Sequence, residues 1–163
     1  MWKSATYGQL KLQEIPAKIK DYYEKMKHYD TPFQIVVGTD SQNFSYTKIV
    51  SVICILCEGH GGIFFYKVTN VDRITNVRQK LHTETSLSLD VANELMGYLE
   101  TEEYADVYCN STFTIHIDAG HSDKGKTKEL IPELVGWVKA VGYEVDVKPD
   151  SYVASSIADK ISK

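Results

Sequence analysis

Two stretches of the chain combine apolar strand patterning with an aspartate at the end. In residues 112–118 every second side chain is apolar, which is the period of a β-strand, and Asp118 closes the stretch. Residues 33–40 form an apolar run that ends in Asp40. The pattern therefore predicts two strands that each carry a carboxylate at the carboxyl-terminal tip.

Three more stretches have the character of strands. Residues 47–57 and 63–69 are apolar runs separated by the glycine-rich turn 58–62, so together with the first strand they predict an antiparallel meander. Residues 143–148 alternate between apolar and polar side chains until Pro149, which predicts a fifth strand.

The remaining apolar residues are spaced as in amphipathic helices, so strands and helices alternate in the second half of the chain. Because β-α-β crossovers are right-handed, the fourth strand is expected to lie parallel to the first and beside it, with the fifth beyond. We therefore predict one α/β domain over residues 1–163, with a five-stranded mixed sheet of order 3-2-1-4-5 and residues 1–30 as an N-terminal helical extension. The predicted helices cover residues 12–28, about 71–100, about 128–141 and 151–162.

This topology brings Asp40 and Asp118 together. Neighbouring strands lie about 5 Å apart, and the carboxyl edge of an open α/β sheet is where ligand and catalytic sites occur. A shared site for divalent metal ions is therefore expected between the two carboxylates.

Glu84 has two interpretations. In an unbroken helix over 71–100 it falls in the apolar stripe between Leu81 and Ser88, where a carboxylate is costly unless it is paired or binds a metal. Alternatively, the helix is broken near residues 82–83, Thr83 is its N-cap, and Glu84 lies in an exposed first turn. The sequence leaves both open.

Composition narrows the class of protein. The net charge of −4 and the lack of an evident basic stripe or of stacking aromatics count against a dedicated nucleic-acid binder.

Three cysteines, an odd number, argue against a disulfide framework. Cys54 and Cys57 lie three apart on a predicted strand and so point to opposite faces, which disfavours a shared zinc ion. With no apolar run of membrane-spanning length and no signal-peptide pattern, we expect a cytoplasmic protein without a membrane partner.

Residues 120–127 match the phosphate-loop pattern G-x-x-x-x-G-K-[ST] between a predicted strand and a predicted helix. This favours a nucleotide-binding protein as an alternative function, although only one strand follows and it lacks the acidic ending that holds Mg²⁺ in such proteins. In a nuclease, Lys124, Lys126 and Lys128 at the start of the helix would instead hold a substrate phosphate.

With this order of elements, the chain resembles the ribonuclease H-like superfamily, and within it the YkuK-type branch of small bacterial proteins. The segments that carry the resemblance are Val37-Gly-Thr-Asp-Ser-Gln42, His82-Thr-Glu-Thr-Ser86, Ile115-His-Ile-Asp118, Thr127-Lys-Glu-Leu-Ile131, Gly136-Trp137 and Lys148-Pro-Asp-Ser-Tyr152 through Ala158-Asp159.

The resemblance implies a metal site of four acids. Carried over residue by residue, they are Asp40, Glu84, Asp118 and Asp150, with Asp159 as the alternative fourth acid. Oxygen ligands alone suit Mg²⁺ or Mn²⁺, and the resemblance implies two such ions.

The function implied is that of a metal-dependent nuclease that hydrolyses RNA, DNA or a hybrid of the two by a two-metal mechanism. His121, just after the third acid, is a candidate for proton transfer. The non-enzymatic alternative is a ribonuclease H-like module that binds nucleic acid or protein with little or no activity.

Overall fold

The computed structural model describes residues 1–120, 123–151, 157 and 161, and it contains one seven-stranded mixed sheet with helices packed against it. The strands are β1 Trp2–Ser4, β2 Gly8–Leu10, β3 Phe33–Asn43, β4 Thr47–Cys57, β5 Gly61–Val71, β6 Ser111–Gly120 and β7 Glu144–Lys148. The helices are α1 Ile15–Met26, α2 Val77–Leu99, α3 Ala105–Cys109 and α4 Lys126–Val141.

The strand order is β2-β1-β5-β4-β3-β6-β7. Its last five strands have the predicted order 3-2-1-4-5, with β3 and β6 parallel and β6 and β7 parallel. The predicted number of five strands is wrong, however. Residues 2–10, which were assigned to a helical extension, form a hairpin that adds two strands beside β5, with Lys3 opposite Tyr66. Strands of three residues are too short for a period of two to be visible in the sequence.

The helices cover one face of the sheet. Ile35 and Val37 of β3 and Ile115 of β6 are fully or almost fully buried there in the main apolar core. On the opposite face, smaller clusters around Val36 and Val50 pack against Ile157 and Ile161. The predicted helix 151–162 lies mostly outside the described residues.

Helix α2 is continuous, which decides between the two interpretations of Glu84. The side chain of Asn76 caps its first turn by accepting a hydrogen bond from the backbone N–H of Gln79. Since the helix runs unbroken to Leu99, a cap at Thr83 is wrong, and Glu84 lies in the buried stripe with Leu81 and Ser88.

Cys54 and Cys57 lie in different apolar clusters, on opposite faces of β4, as predicted. All three cysteines are free. Within the part of the chain that the structure describes, no helix is both long and apolar enough to cross a membrane.

Gly120, the last residue of β6, lies against β7. A Cβ atom added there would come within 2.6 Å of the Lys148 Cβ and 2.7 Å of its carbonyl oxygen. We expect Gly120→Ala to lower the free energy of unfolding by about 1–3 kcal/mol because the two strands must separate. Urea denaturation measures this. Gly136→Ala is the matched control, since its Cβ meets nothing within 4 Å and helix propensity predicts a small gain in stability. Equal effects at both positions would contradict the prediction.

Candidate functional site

Asp40 and Asp118 meet at the carboxyl edge of the sheet. The parallel register pairs Gly38 with His116, so two residues further along the strands Asp40 and Asp118 are level with each other. Asp40 is only 7% exposed, and its carboxyl group interacts with that of Asp118. Burial, together with the charge of Asp118, raises the pKa of Asp40 to about 7. The Asp40 carboxyl group therefore keeps its proton up to about pH 7.

Glu84 reaches the same site from α2. It is 5% exposed, and the hydroxyl of Ser41 donates a hydrogen bond of 2.8 Å to its Oε2 atom. Burial, and then the charge of Asp40, raise the pKa of Glu84 to about 8, while the ammonium group of Lys80 opposes the rise. Three carboxyl groups from three different elements therefore interact electrostatically in a largely buried position.

Lys148 is a member of the site that the sequence-based prediction of site residues did not include. It ends β7 beside Gly120, and its Nζ atom lies 3.1 Å from Oδ1 of Asp118. Although partial burial lowers the pKa of Lys148, the hydrogen bond and charge of Asp118 outweigh this and raise it. The register of the two parallel strands produces the contact, and residues 148–152 had attracted notice only as part of the family resemblance.

A chain of hydroxyl groups holds α2 against the sheet next to the acids. Ser88 donates a hydrogen bond of 2.8 Å to Oγ1 of Thr39, which lies 3.4 Å from the hydroxyl of Ser51. A cavity of about 10 Å³ lies between Thr39, Glu84 and Asp118, which is space for about one water molecule. These hydrogen bonds hold α2 at a fixed distance from the sheet and so set the position of Glu84 relative to Asp40 and Asp118.

His116 lies two residues before Asp118 on the same face of β6. Its Nε2 atom is 3.5 Å from Oδ2 of Asp146 on β7. Burial lowers the pKa of His116, and the charge of Asp146 only partly offsets this. A neutral imidazole at this position adds no positive charge to the acidic site.

The fourth predicted acid is more exposed than the other three. Asp150 is exposed in the turn after β7. Within the described residues, no hydrogen bond or ion pair joins its carboxylate to Asp40, Glu84 or Asp118. The alternative, Asp159, and the candidate for proton transfer, His121, both lie outside the described residues.

The loop lysines are exposed, as a phosphate-binding role requires. Lys124, Lys126 and Lys128 all face solvent. Lys126 lines a cavity of about 160 Å³ together with Asn76 and Arg78, where the N-termini of α2 and α4 meet.

The phosphate-loop pattern has the local context that the sequence predicts, since β6 ends at Gly120 and α4 begins at Lys126. The topology does not favour a nucleotide-binding protein. In the described part of the chain only β7 follows, at the edge of the sheet, and it ends in Lys148 rather than in an acid.

The donor set suits a hard divalent cation, because the converging groups are carboxylates and a hydroxyl. Two of them are the buried acids Asp40 and Glu84, whose pKa values are raised to about 7 and about 8. Among the described residues, however, no three His, Cys, Asp or Glu side chains are arranged closely enough to hold a metal ion. Lys148 provides the neutralising charge beside Asp118 instead.

Comparisons with known proteins agree with the architecture. The family model described as Ribonuclease H-like matches residues 14–163. The chain is 33% identical over 168 residues to the protein of Bacillus subtilis (strain 168) named "Uncharacterized protein YkuK", and the match covers 96% of this chain and 93% of that protein. No solved structure was found to match.

Proposed function

Since the chain belongs to the ribonuclease H-like family, we propose that it is a metal-dependent nuclease that hydrolyses phosphodiester bonds of nucleic acid. The family supports a role connected with nucleic acid. The observation that carries the proposal is the convergence of Asp40, Glu84 and Asp118 on one buried position at the carboxyl edge of the sheet. Such a concentration of acids is unfavourable unless protons or cations neutralise it.

In this proposal Asp40, Glu84 and Asp118 would hold Mg²⁺ or Mn²⁺ by moving closer together than they lie in this structure, and Asp150 or Asp159 would supply the fourth carboxylate. When bound, two such ions activate a water molecule and stabilise the leaving oxygen of the phosphodiester. Every ligand is an oxygen, which is the preference of these ions.

The protein's other residues have supporting roles. Ser41 orients Glu84 by its hydrogen bond, and Lys148 holds the Asp118 carboxylate in place. Lys124, Lys126 and Lys128 bind backbone phosphates of the substrate at the start of α4, aided by the free N–H groups of the first helical turn. His121 assists proton transfer.

A cleavage assay tests the proposal. End-labelled single-stranded RNA, single-stranded DNA, both duplexes and the hybrid are incubated with the protein in Mn²⁺, in Mg²⁺ or in EDTA. We expect metal-dependent cleavage of at least one substrate and none in EDTA. Absence of cleavage in every combination would contradict the nuclease proposal and leave the ribonuclease H-like binding module as the better hypothesis.

A further inference from the structure

Two aromatic rings are exposed at the tip of the β3–β4 hairpin. Phe44 is 46% exposed and Tyr46 is 40% exposed. Their ring centroids are 5.5 Å apart with the planes inclined at 34°. Neither residue belongs to the apolar clusters that the described residues form. The rings therefore contribute little to the core and present an apolar surface to solvent.

The hairpin that carries these rings is held in place at its base. Asn43 donates a hydrogen bond of 2.8 Å to the carbonyl of Ile74 and accepts one of 2.6 Å from Thr47. The backbone N–H of Ile74 in turn donates to the Thr47 hydroxyl at 2.8 Å. At the tip, the N–H of Phe44 donates to the carbonyl of Tyr46 at 2.7 Å. The hairpin that carries both rings is therefore anchored by hydrogen bonds to Ile74, which lies three residues before the start of α2.

The tip lies at the same edge of the sheet as the acids. Phe44 follows Asp40 by four residues, just past the end of β3 at Asn43, which corresponds to about 13 Å at 3.2–3.4 Å per residue. Stacked nucleotides are about 3.4 Å apart along a strand. A nucleic-acid strand whose backbone passes Asp40 therefore reaches the rings within about four nucleotides.

We propose that Phe44 and Tyr46 form a platform on which unpaired nucleobases stack, so that the preferred ligand is nucleic acid with a single-stranded segment. This rests on the proposed nuclease function for the presence of a strand at the acids. Aromatic rings bind bases of any sequence by stacking, whereas the bases of a closed duplex are already stacked on one another. Stacking would allow a chain with a net charge of −4 to bind nucleic acid, because this contribution needs no basic surface.

The test is a binding measurement in the Asp118→Asn background, so that cleavage does not interfere. Fluorescence anisotropy follows a labelled single-stranded 12-nucleotide DNA and RNA. We expect Phe44→Ala and Tyr46→Ala each to weaken binding about tenfold and the double variant to weaken it further. Tyr46→Phe, which keeps the ring, is expected to bind like the parent. Tyr108→Ala is the matched control, because Tyr108 is 42% exposed but lies in α3, before the opposite end of β6.

An abasic oligonucleotide completes a double-mutant cycle. If the rings stack on bases, removing the bases weakens binding to the parent but has little further effect on the Phe44→Ala/Tyr46→Ala variant. Three outcomes would each overturn the platform. The double variant could bind within twofold of the Asp118→Asn parent, or loss of the bases could weaken binding equally in both proteins. The third outcome is that the parent binds no single strand.

The platform and the nuclease proposal can fail separately. Ring-dependent binding by a wild-type protein that cleaves nothing would reject the nuclease and retain the platform. Metal-dependent cleavage with binding that is insensitive to both rings would reject the platform alone. Thermal unfolding of each variant shows that the loss of binding is not a loss of fold.

Discussion

Asp118→Asn is expected to reduce metal-dependent cleavage by about a thousandfold in single-turnover assays. Asn keeps the shape of the side chain and one oxygen but removes the charge, and the electrostatic contribution of a metal site to a transition state is worth several kcal/mol. Asp40→Asn is expected to have an effect of similar size, since Asp40 lies beside Asp118 on the neighbouring strand and the two carboxyl groups interact directly. Initial rates are compared on the substrate that the wild type cleaves best.

The control for these substitutions is Asp90→Asn. Asp90 lies on α2, as Glu84 does, but is exposed to solvent, so the same chemical change there is expected to leave the rate within about twofold of wild type. Cleavage that survives both Asp40→Asn and Asp118→Asn would show that the acids at the sheet edge are not the active site.

The second large effect concerns stability. Folding raises the pKa of Asp40 from 3.8 to about 7 and that of Glu84 from 4.5 to about 8. An acid with a raised pKa in the folded state favours folding most at pH values below its unfolded pKa, and this advantage is lost as the pH rises through the folded pKa. Each shift, taken singly, corresponds to a loss of about 4–5 kcal/mol in the free energy of unfolding once the acid is ionised. The metal-free protein is therefore expected to be several kcal/mol less stable at pH 8.5 than at pH 5.

Urea denaturation in EDTA between pH 5 and pH 9 measures this loss. Glu84→Gln removes one of the two buried acids and is expected to flatten the profile and to raise stability at pH 8.5. Glu94→Gln, an exposed position on the same helix, provides the comparison and is expected to leave the profile unchanged. A wild-type profile that is flat from pH 5 to pH 9 would mean that the two acids are better solvated than their burial implies.

Divalent cations give the same experiment a second readout. A ligand that binds only the folded protein raises the free energy of unfolding, and the increase grows with the ratio of the ligand concentration to Kd. If the acids bind Mg²⁺ or Mn²⁺, the stabilisation is expected to be larger at pH 8.5, where the acids are ionised, than at pH 5, where protons compete. It is also expected to be smaller in Asp118→Asn than in wild type.

The order of the five main strands was predictable because each is long enough to display its pattern. Strands β3 and β6 have eleven and ten residues and continue past Asp40 to Asn43 and past Asp118 to Gly120, and the handedness of crossovers makes them parallel neighbours. The hairpin β1–β2 was missed for the opposite reason, because each strand has only three residues.

The burial of Glu84 could not be predicted from the hydrophobic pattern alone. Its position in the apolar stripe of α2 was visible, but an unbroken helix and a broken one were both compatible with the residues. The packing of α2 on the sheet decided between them, through the bonds from Ser41 to Glu84 and from Ser88 to Thr39.

The sequence by itself determined the order of the five main strands, the presence of Asp40 and Asp118 on neighbouring strands and the apolar face of α2, because these follow from local periodicity and from the handedness of crossovers. Only the tertiary structure decided that Lys148 lies beside Asp118, that Asp150 is exposed, and that Phe44 and Tyr46 are exposed on the same edge. These features depend on the register between strands and on which surfaces remain uncovered. Both are set by contacts between residues far apart in the chain.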